Sequence, residues 1–407
     1  MLKILVIGGG AAGMMAAISA RNEGADVTLL ERNNRVGKKI LATGNGRCNY
    51  TNVNLSINNY HGNNPKFSYS CLSKFGVDKT MNFFEQLGIT PVIEDNGKVF
   101  PLSFQSSSIL DVLRFELEDL GIQVLTDAFV IDIKKDKKFC VTLKDGRKIY
   151  GDRVIIATGG NAAPVTGSDG NGYTLATKLG HCIVEVFPGL VQLKLEGNVF
   201  KQLDGVKFIG TAGLYEKSKL IKEDRGDILF TSYGISGPPI LQLSRTALEY
   251  LNKGKKVELR ISIIDTKSQE ELYDYLKYRF GFMSKKTIEI GLIGLINKRL
   301  IIPILNEIGI DKKIQVAHLT NEEVRRLSTI LTDWRFNIIG SKSWKDAQVT
   351  AGGVSTDEID SSTMESKFIK GLYFAGELID IDGDCGGFNL QWAWSSGYVA
   401  GKSAALR

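Results

Sequence analysis

The first thirteen residues constrain this chain more than any other stretch. Leu2 to Ile7 is a short run of Ile, Leu and Val, suited to a strand buried on both faces of a parallel sheet. Gly8-Gly9-Gly10-Ala11-Ala12-Gly13 follows, then the helix-forming run Met14 to Ile18. In such a strand–turn–helix unit, Gly8 permits the tight turn and Gly10 lets backbone approach a pyrophosphate. Gly13 lets the helix pack close to the strand. The helix start, with Ala11 and Ala12, offers unpaired N–H groups and a positive dipole end to phosphates. Val27 to Leu30 reads as the next strand, and Glu31 closes it. A carboxylate there is placed to accept hydrogen bonds from adenosine ribose hydroxyls, and it disfavours a 2′-phosphate.

A dinucleotide fingerprint does not say which dinucleotide. Two later glycine regions point to a long one. Arg153 to Gly160 is a second buried strand whose end, Ala157-Thr158-Gly159-Gly160, can lie over a ligand at the carboxyl edge of a sheet. Near the terminus, Gly376-Glu377 follows a strand, and Gly387-Phe388-Asn389-Leu390-Gln391 opens the final helix. Its N–H groups suit the part of a flavin where negative charge gathers on reduction. FAD, bound from both ends of the chain, fits this spacing better than NAD.

The 407 residues exceed one ordinary core, so two or three domains are expected. Residues 72–90 and 107–120 read as helices, and 139–150 as a hairpin around Asp145-Gly146. From about 190 to 263 short strands and glycine turns suggest a small β domain. Residues 267–332 look helical, with Pro303 and Gly309 as breaks. The expected division is an FAD-binding domain of residues 1–190 and 350–407, an inserted β domain of 191–265 and 333–349, and a helical domain of 266–332.

Composition narrows the function classes. Five scattered cysteines without a C-x-x-C pair argue against a disulfide framework, a zinc site or a dithiol couple. No metal centre is expected, and the Asp380, Asp382 and Asp384 series reads as ribityl-hydroxyl binding rather than a cation loop. No apolar run is long enough for a membrane span, and the opening segment lacks a signal-peptide pattern, so a cytoplasmic location is expected. The net charge is +6. The lysines, as in Lys134 to Lys138 and Lys253 to Lys256, are dispersed. They read as solvated loops rather than a nucleic-acid patch. The expected partner is therefore a small-molecule substrate, with neither nucleic acid nor membrane; the oligomeric state is not specified.

Four stretches carry a family resemblance: Gly37 to Asn49 with Thr51-Asn52, Leu229 to Pro238, Thr350 to Val354, and Ala375 to Gly401. In these the chain resembles the bacterial FAD-dependent oxidoreductases that include aminoacetone oxidase and a flavoprotein associated with bile-acid dehydroxylation. The resemblance implies an α/β, Rossmann-like FAD-binding domain of the two-dinucleotide-binding type, interrupted by a β-barrel-like and a small helical domain. It places Arg32, Lys38, Lys39 and the loop Thr43-Gly44-Asn45-Gly46-Arg47-Cys48 beside FAD, with Gly353. It also implies adenine backbone contacts from Val130. Where relatives carry Thr, this chain has Cys385, which argues against a nucleophile there; Lys98 stands where Arg is expected.

No catalytic residue is assigned. Cys48 reads as a small buried residue rather than a redox partner. Arg47 could steady an anion or brace its loop. His61 could face substrate, while His181 and His318 lie in ordinary contexts. The reading that results is an FAD-dependent oxidoreductase passing hydride between an organic substrate and flavin N5, with oxygen or NAD(P)H as the other partner. The alternatives are an RNA-associated flavoprotein and a non-catalytic flavin redox sensor.

Overall fold

The computed structural model describes residues 1–406 of the 407. The chain divides into two compact units. One comprises Met1–Pro188 and the chain from Ala347 on; the other is Gly189–Asp346.

The first unit is built on a five-stranded parallel sheet. Its strand order is Leu372–Phe374, Arg153–Ile156, Lys3–Ile7, Asp26–Leu30 and Gln123–Leu125. The central strand is the apolar opening run, and Ile4 to Ile7 are buried. Burial on both faces is what its unbroken hydrophobicity requires. Two helices cross on this sheet, Ala11–Asn22 and Phe388–Ala405. They approach so closely that a Cβ on Gly397 would overlap the Ala12 carbonyl, and one on Gly401 the Ala16 carbonyl. The small residues of the last helix are therefore a packing requirement, and they tie the end of the chain to its beginning. An antiparallel three-stranded sheet, Val130–Lys135, Phe139–Leu143 and Lys148–Gly151, flanks the parallel one. The stretch read as one helix over 72–90 is two, Ser68–Lys74 and Val77–Gln86, broken at Gly76.

The second unit is a closed six-stranded barrel with helices. Around the barrel run Leu193–Leu195, Gly234–Ser236, Lys219–Thr231, Lys207–Glu216, Glu258–Ser262 and Trp334–Ser341. The last pairs back with the first. Alternate residues point inward, such as Trp334, Phe336 and Ile338. They pack with Phe230, whose ring centroid lies 5.7 Å from that of Trp334.

Three local expectations change here. Two strands are long, 10 and 13 residues, rather than short. Residues 238–252 are a helix, not strand and turn. Pro238 and Pro239 occupy its first turn, where a missing N–H costs nothing, and Ile240, Leu243 and Ala247 recur on its buried face. Pro303 lies inside the helix Lys298–Glu307 rather than ending it. Gly309, with φ +68°, provides the stop two residues beyond that helix. Barrel and helices share one hydrophobic cluster. Among the described residues, no helix is long and apolar enough to cross a membrane.

Candidate flavin site

The opening turn separates glycines that serve the protein from one that faces open space. A Cβ on Gly8 would come within 2.5 Å of the Ala157 carbonyl oxygen, and one on Gly13 would overlap the Gly8 carbonyl. A Cβ on Gly10 would meet nothing within 4 Å. Gly10 is also the N-cap of the helix Ala11–Asn22, with no side-chain cap. A bare helix N-terminus, open in front, suits a pyrophosphate.

Glu31 is buried at the base of this turn. Its Oε2 accepts the Gly9 N–H at 2.8 Å, and its Oε1 accepts the backbone and side-chain N–H groups of Asn33 at 2.8 and 2.7 Å. The carboxylate is thus fixed in place, with lone pairs left for hydroxyl donors. Nearby, Arg32 pairs with Asp169 at 2.5 Å, and its guanidinium carbon lies 4.4 Å from the Phe129 ring centroid. Lys38 donates to Asn33 Oδ1 at 3.2 Å. The Val130 carbonyl accepts from Asn171 Nδ2 at 2.9 Å.

The segment after Gly37 forms a short helix, Lys38–Ala42, and a left-handed turn. Gly44 and Asn45 both have φ near +55°. Thr43 Oγ1 caps back onto the Ile40 carbonyl, and Gly46 faces open space. Lys39 forms an ion pair at 2.6 Å with Glu377, whose other oxygen accepts the Thr350 N–H at 2.7 Å. Arg47 braces the loop: it pairs with Glu94 at 2.8 Å and lies over Phe100 at 4.3 Å. Cys48 is fully buried, and burial pushes its thiol up to about 12.

The remaining predicted residues lie near the ends of two central strands, on the strand Val349–Val354 and in the first turn of the last helix. Ala157 donates to the Ile7 carbonyl at 2.8 Å. The Thr158 hydroxyl is buried without a partner among the described residues. Gly159 lies against Ser168 and Gly160 against Thr350. Gly353 packs on the Leu378 carbonyl, and Gly376 on the Ala12 methyl. In the turn before the last helix, Asn389 staples Gly383 through both its amide atoms. Phe388 and Gln391 are buried, and Leu390 packs against the core. The Gln391 amide is consumed inside the unit by Thr51, Phe75, Thr80 and Ser395. Its side chain therefore holds the helix start rather than a ligand.

Asn49 and Asn52, which the sequence left without a role, converge with His61, Lys98 and the Asp380, Asp382, Asp384 series on the same place. Asn49 Oδ1 is a buried acceptor without a partner among the described residues. It lies where a Cβ on Gly387 would come within 2.8 Å of it. An orphaned buried acceptor is costly unless something donates to it. Asn52 Nδ2 donates to the Gly386 carbonyl at 2.8 Å, and Lys98 approaches Gly386 from the paired strand. His61 sits on the two-residue strand Tyr60–His61, which pairs with Asp382–Gly383. Its Nε2 lies 2.8 Å from Asp384 Oδ1, two residues before Gly386. Asp380 and Asp382 are buried, and Asp380 accepts the Asn63 N–H.

These features meet the demands of an FAD: an open helix N-terminus, a fixed ribose-side carboxylate and an unmet acceptor beside the Gly386-Gly387 turn. Comparison decides the family. A family model described as the HI0933-like protein Rossmann domain matches residues 2–403. The chain belongs to the HI0933-like family. A curated relative, 3-dehydro-bile acid delta(4,6)-reductase of Clostridium scindens, is 38% identical over 100% of both chains. Ribosomal RNA dihydrouridine synthase of Escherichia coli is 30% identical, covering 98% of this chain and 96% of that protein. Among solved structures, the apo Sdh1 complex of Mycobacterium smegmatis has a TM-score of 0.50 at 15% identity, covering 99% of this chain and 68% of that one. That likeness concerns the fold alone. This HI0933-like protein is an FAD-dependent oxidoreductase.

Proposed function

We propose that the protein reduces a carbon–carbon double bond conjugated to a carbonyl, using FAD held by the residues described above. One observation carries this reading. Two relatives that match nearly the whole chain have names with unlike substrates, a bile acid and ribosomal RNA, yet one act: adding two hydrogens across a double bond.

When bound, the flavin, once reduced by NAD(P)H, would supply the hydride. The chain's own groups supply the rest. Gly10 and the helix start hold the pyrophosphate, Glu31 the ribose, and the Gly387 turn with Asn49 the ring end. Lys98 lies half-buried beside Gly386, and in this reading it binds the substrate carbonyl oxygen. Asp384 fixes the orientation of His61, which protonates the carbon next to the carbonyl while the farther carbon receives hydride. Hydride and proton together saturate the bond.

Anaerobic mixing tests this. NADH or NADPH should bleach the yellow protein. A simple cyclic enone, or uridine in bulk ribosomal RNA, should then restore the colour with formation of the saturated product. Bleaching that no conjugated alkene reverses, but oxygen does, would make the protein an oxidase instead.

A second reading concerns the substrate. Residues 189–346 contain 26 lysines and arginines against 19 aspartates and glutamates; the rest of the chain has 25 against 26. The whole positive excess thus belongs to one unit. That segregation favours a polyanionic substrate such as RNA over a steroid. Filter binding of ribosomal RNA at two salt concentrations tests it, and tight binding that weakens steeply with salt is expected.

A further inference from the structure

The second unit carries exposed aromatic rings among uncompensated lysines. Tyr278 lies on the helix Gln269–Gly281, and Phe282 follows at its end, one turn further. They are 67% and 72% exposed, with ring centroids 4.8 Å apart in an edge-on arrangement. A paired display of two large rings in water is unusual unless something covers them. From Tyr275 to Ile288 the chain has four basic residues and no acidic one. Lys277 donates to Asn321 Oδ1, and Arg279 donates to the carbonyls of Gly291 and Ile293. Neither charge is met by a carboxylate in these bonds.

Backbone pairing brings more lysines to the same end of the helix. Thr287 bridges to Gln315, Glu289 N–H donates to the Lys312 carbonyl, and Val316 N–H donates to the Lys286 carbonyl. Lys285, Lys286, Lys312 and Lys313 are all exposed. None of the four has an ion pair among the described residues. The nearest acids in sequence are Glu289 and Asp311, and Asp311 accepts the backbone N–H of Lys313.

We propose that this face docks RNA, with Tyr278 and Phe282 stacking on unpaired bases and the four lysines meeting backbone phosphates. Exposed rings set among basic side chains are how single-stranded nucleic acid is held without sequence readout. In folded RNA, loops and bulges are the segments whose bases are free to stack. An acidic protein would satisfy the lysines but would leave the rings' flat faces without matching planar groups. The inference rests on the RNA reading above.

The test uses the FAD-loaded full chain and a fluorescent RNA hairpin with a single-stranded loop, at 50 and 200 mM salt. The double variant Tyr278→Ala, Phe282→Ala should bind roughly tenfold more weakly at both salt concentrations. The variant with Lys285, Lys286, Lys312 and Lys313 each changed to Glu should bind far more weakly. Its salt dependence should be shallower by about 0.7 in logarithmic slope for each phosphate that a lysine no longer neutralises. Reduction of a simple enone should stay unchanged in both variants, which shows that the flavin site is intact. If wild type binds RNA and both variants bind it equally well, the docking face is overturned and the RNA reading stands. Should only the charge variant weaken, base stacking is overturned. Wild type that binds no RNA overturns the RNA reading itself.

Discussion

Gly13 and Gly8 are packed so that a side chain on the first would overlap the carbonyl oxygen of the second. Gly10, between them in the same turn, meets no protein atom that a Cβ would reach. The two substitutions should therefore separate. Gly13→Ala should destabilise the apoprotein by about 1–3 kcal/mol, as overpacking does. Gly10→Val should leave apoprotein stability within about 1 kcal/mol of wild type, the scale of an N-cap change, but weaken FAD binding at least tenfold. Denaturation of flavin-stripped protein, paired with fluorescence titration of FAD, reads both quantities. A Gly10 variant that binds FAD normally would remove this turn from the cofactor site.

Cys48 is held in the left-handed region at φ +57°, fully buried, with its thiol raised to about 12. At neutral pH it carries no thiolate, the form that reacts. Cys48→Ala should keep flavin reduction within about threefold, with a stability loss of about 1 kcal/mol for the vacated volume. Mass mapping after brief alkylation of the native protein gives an independent check, since exposed Cys182 should be labelled and Cys48 spared. Early labelling of Cys48 would contradict its burial.

Much of the first unit was legible because its constraints are local. A both-face-buried strand needs an unbroken apolar run, and the adjoining turn needs glycine where backbone meets backbone. The opening strand, turn and helix show both in sequence. The helix 238–252 was also written there, as Pro238-Pro239 followed by apolar residues at helical spacing. Neighbouring glycine turns masked that signal. Other features depend on chain segments far apart. Nothing near His61 announces Asp384, which lies 323 positions away and is brought in by a two-residue strand pair. Asn49 looks like any loop asparagine until Gly387 packs on its side-chain oxygen. Charge behaves similarly. Dispersed along the sequence, the lysines looked like solvated loops; sorted by folded unit, their excess falls in one of the two.

The His61–Asp384 pair predicts a split between half-reactions. His61→Gln should leave bleaching by NAD(P)H within about twofold, because that step needs no proton from this side chain. Transfer from reduced enzyme to a conjugated alkene should slow by about 10²–10³-fold, the usual scale of a lost general acid. Asp384→Asn should fall between, because the amide orients the ring less firmly than the carboxylate does. Single-turnover measurements separate the two steps, and equal slowing of both would deny His61 the proton-transfer role.

His181 predicts how stability responds to acid. It is buried between Phe368 and Phe374, with Ser366 at Nε2 and Glu358 at Nδ1. Burial outweighs the attraction of Glu358 and holds its pKa below the ordinary 6.5. The folded state therefore resists a proton that the unfolded chain accepts. This contribution to stability is fully present above pH 6.5 and is lost as pH falls from there through the folded-state value. Urea midpoints at pH 7.5 and 5.5 should drop more for wild type than for His181→Gln, whose amide takes up no proton in this range. The variant will be less stable at pH 7.5, since it breaks a packed ring contact, so the comparison is of slopes with pH and not of absolute midpoints. Parallel slopes in the two proteins would assign the acid sensitivity to other groups.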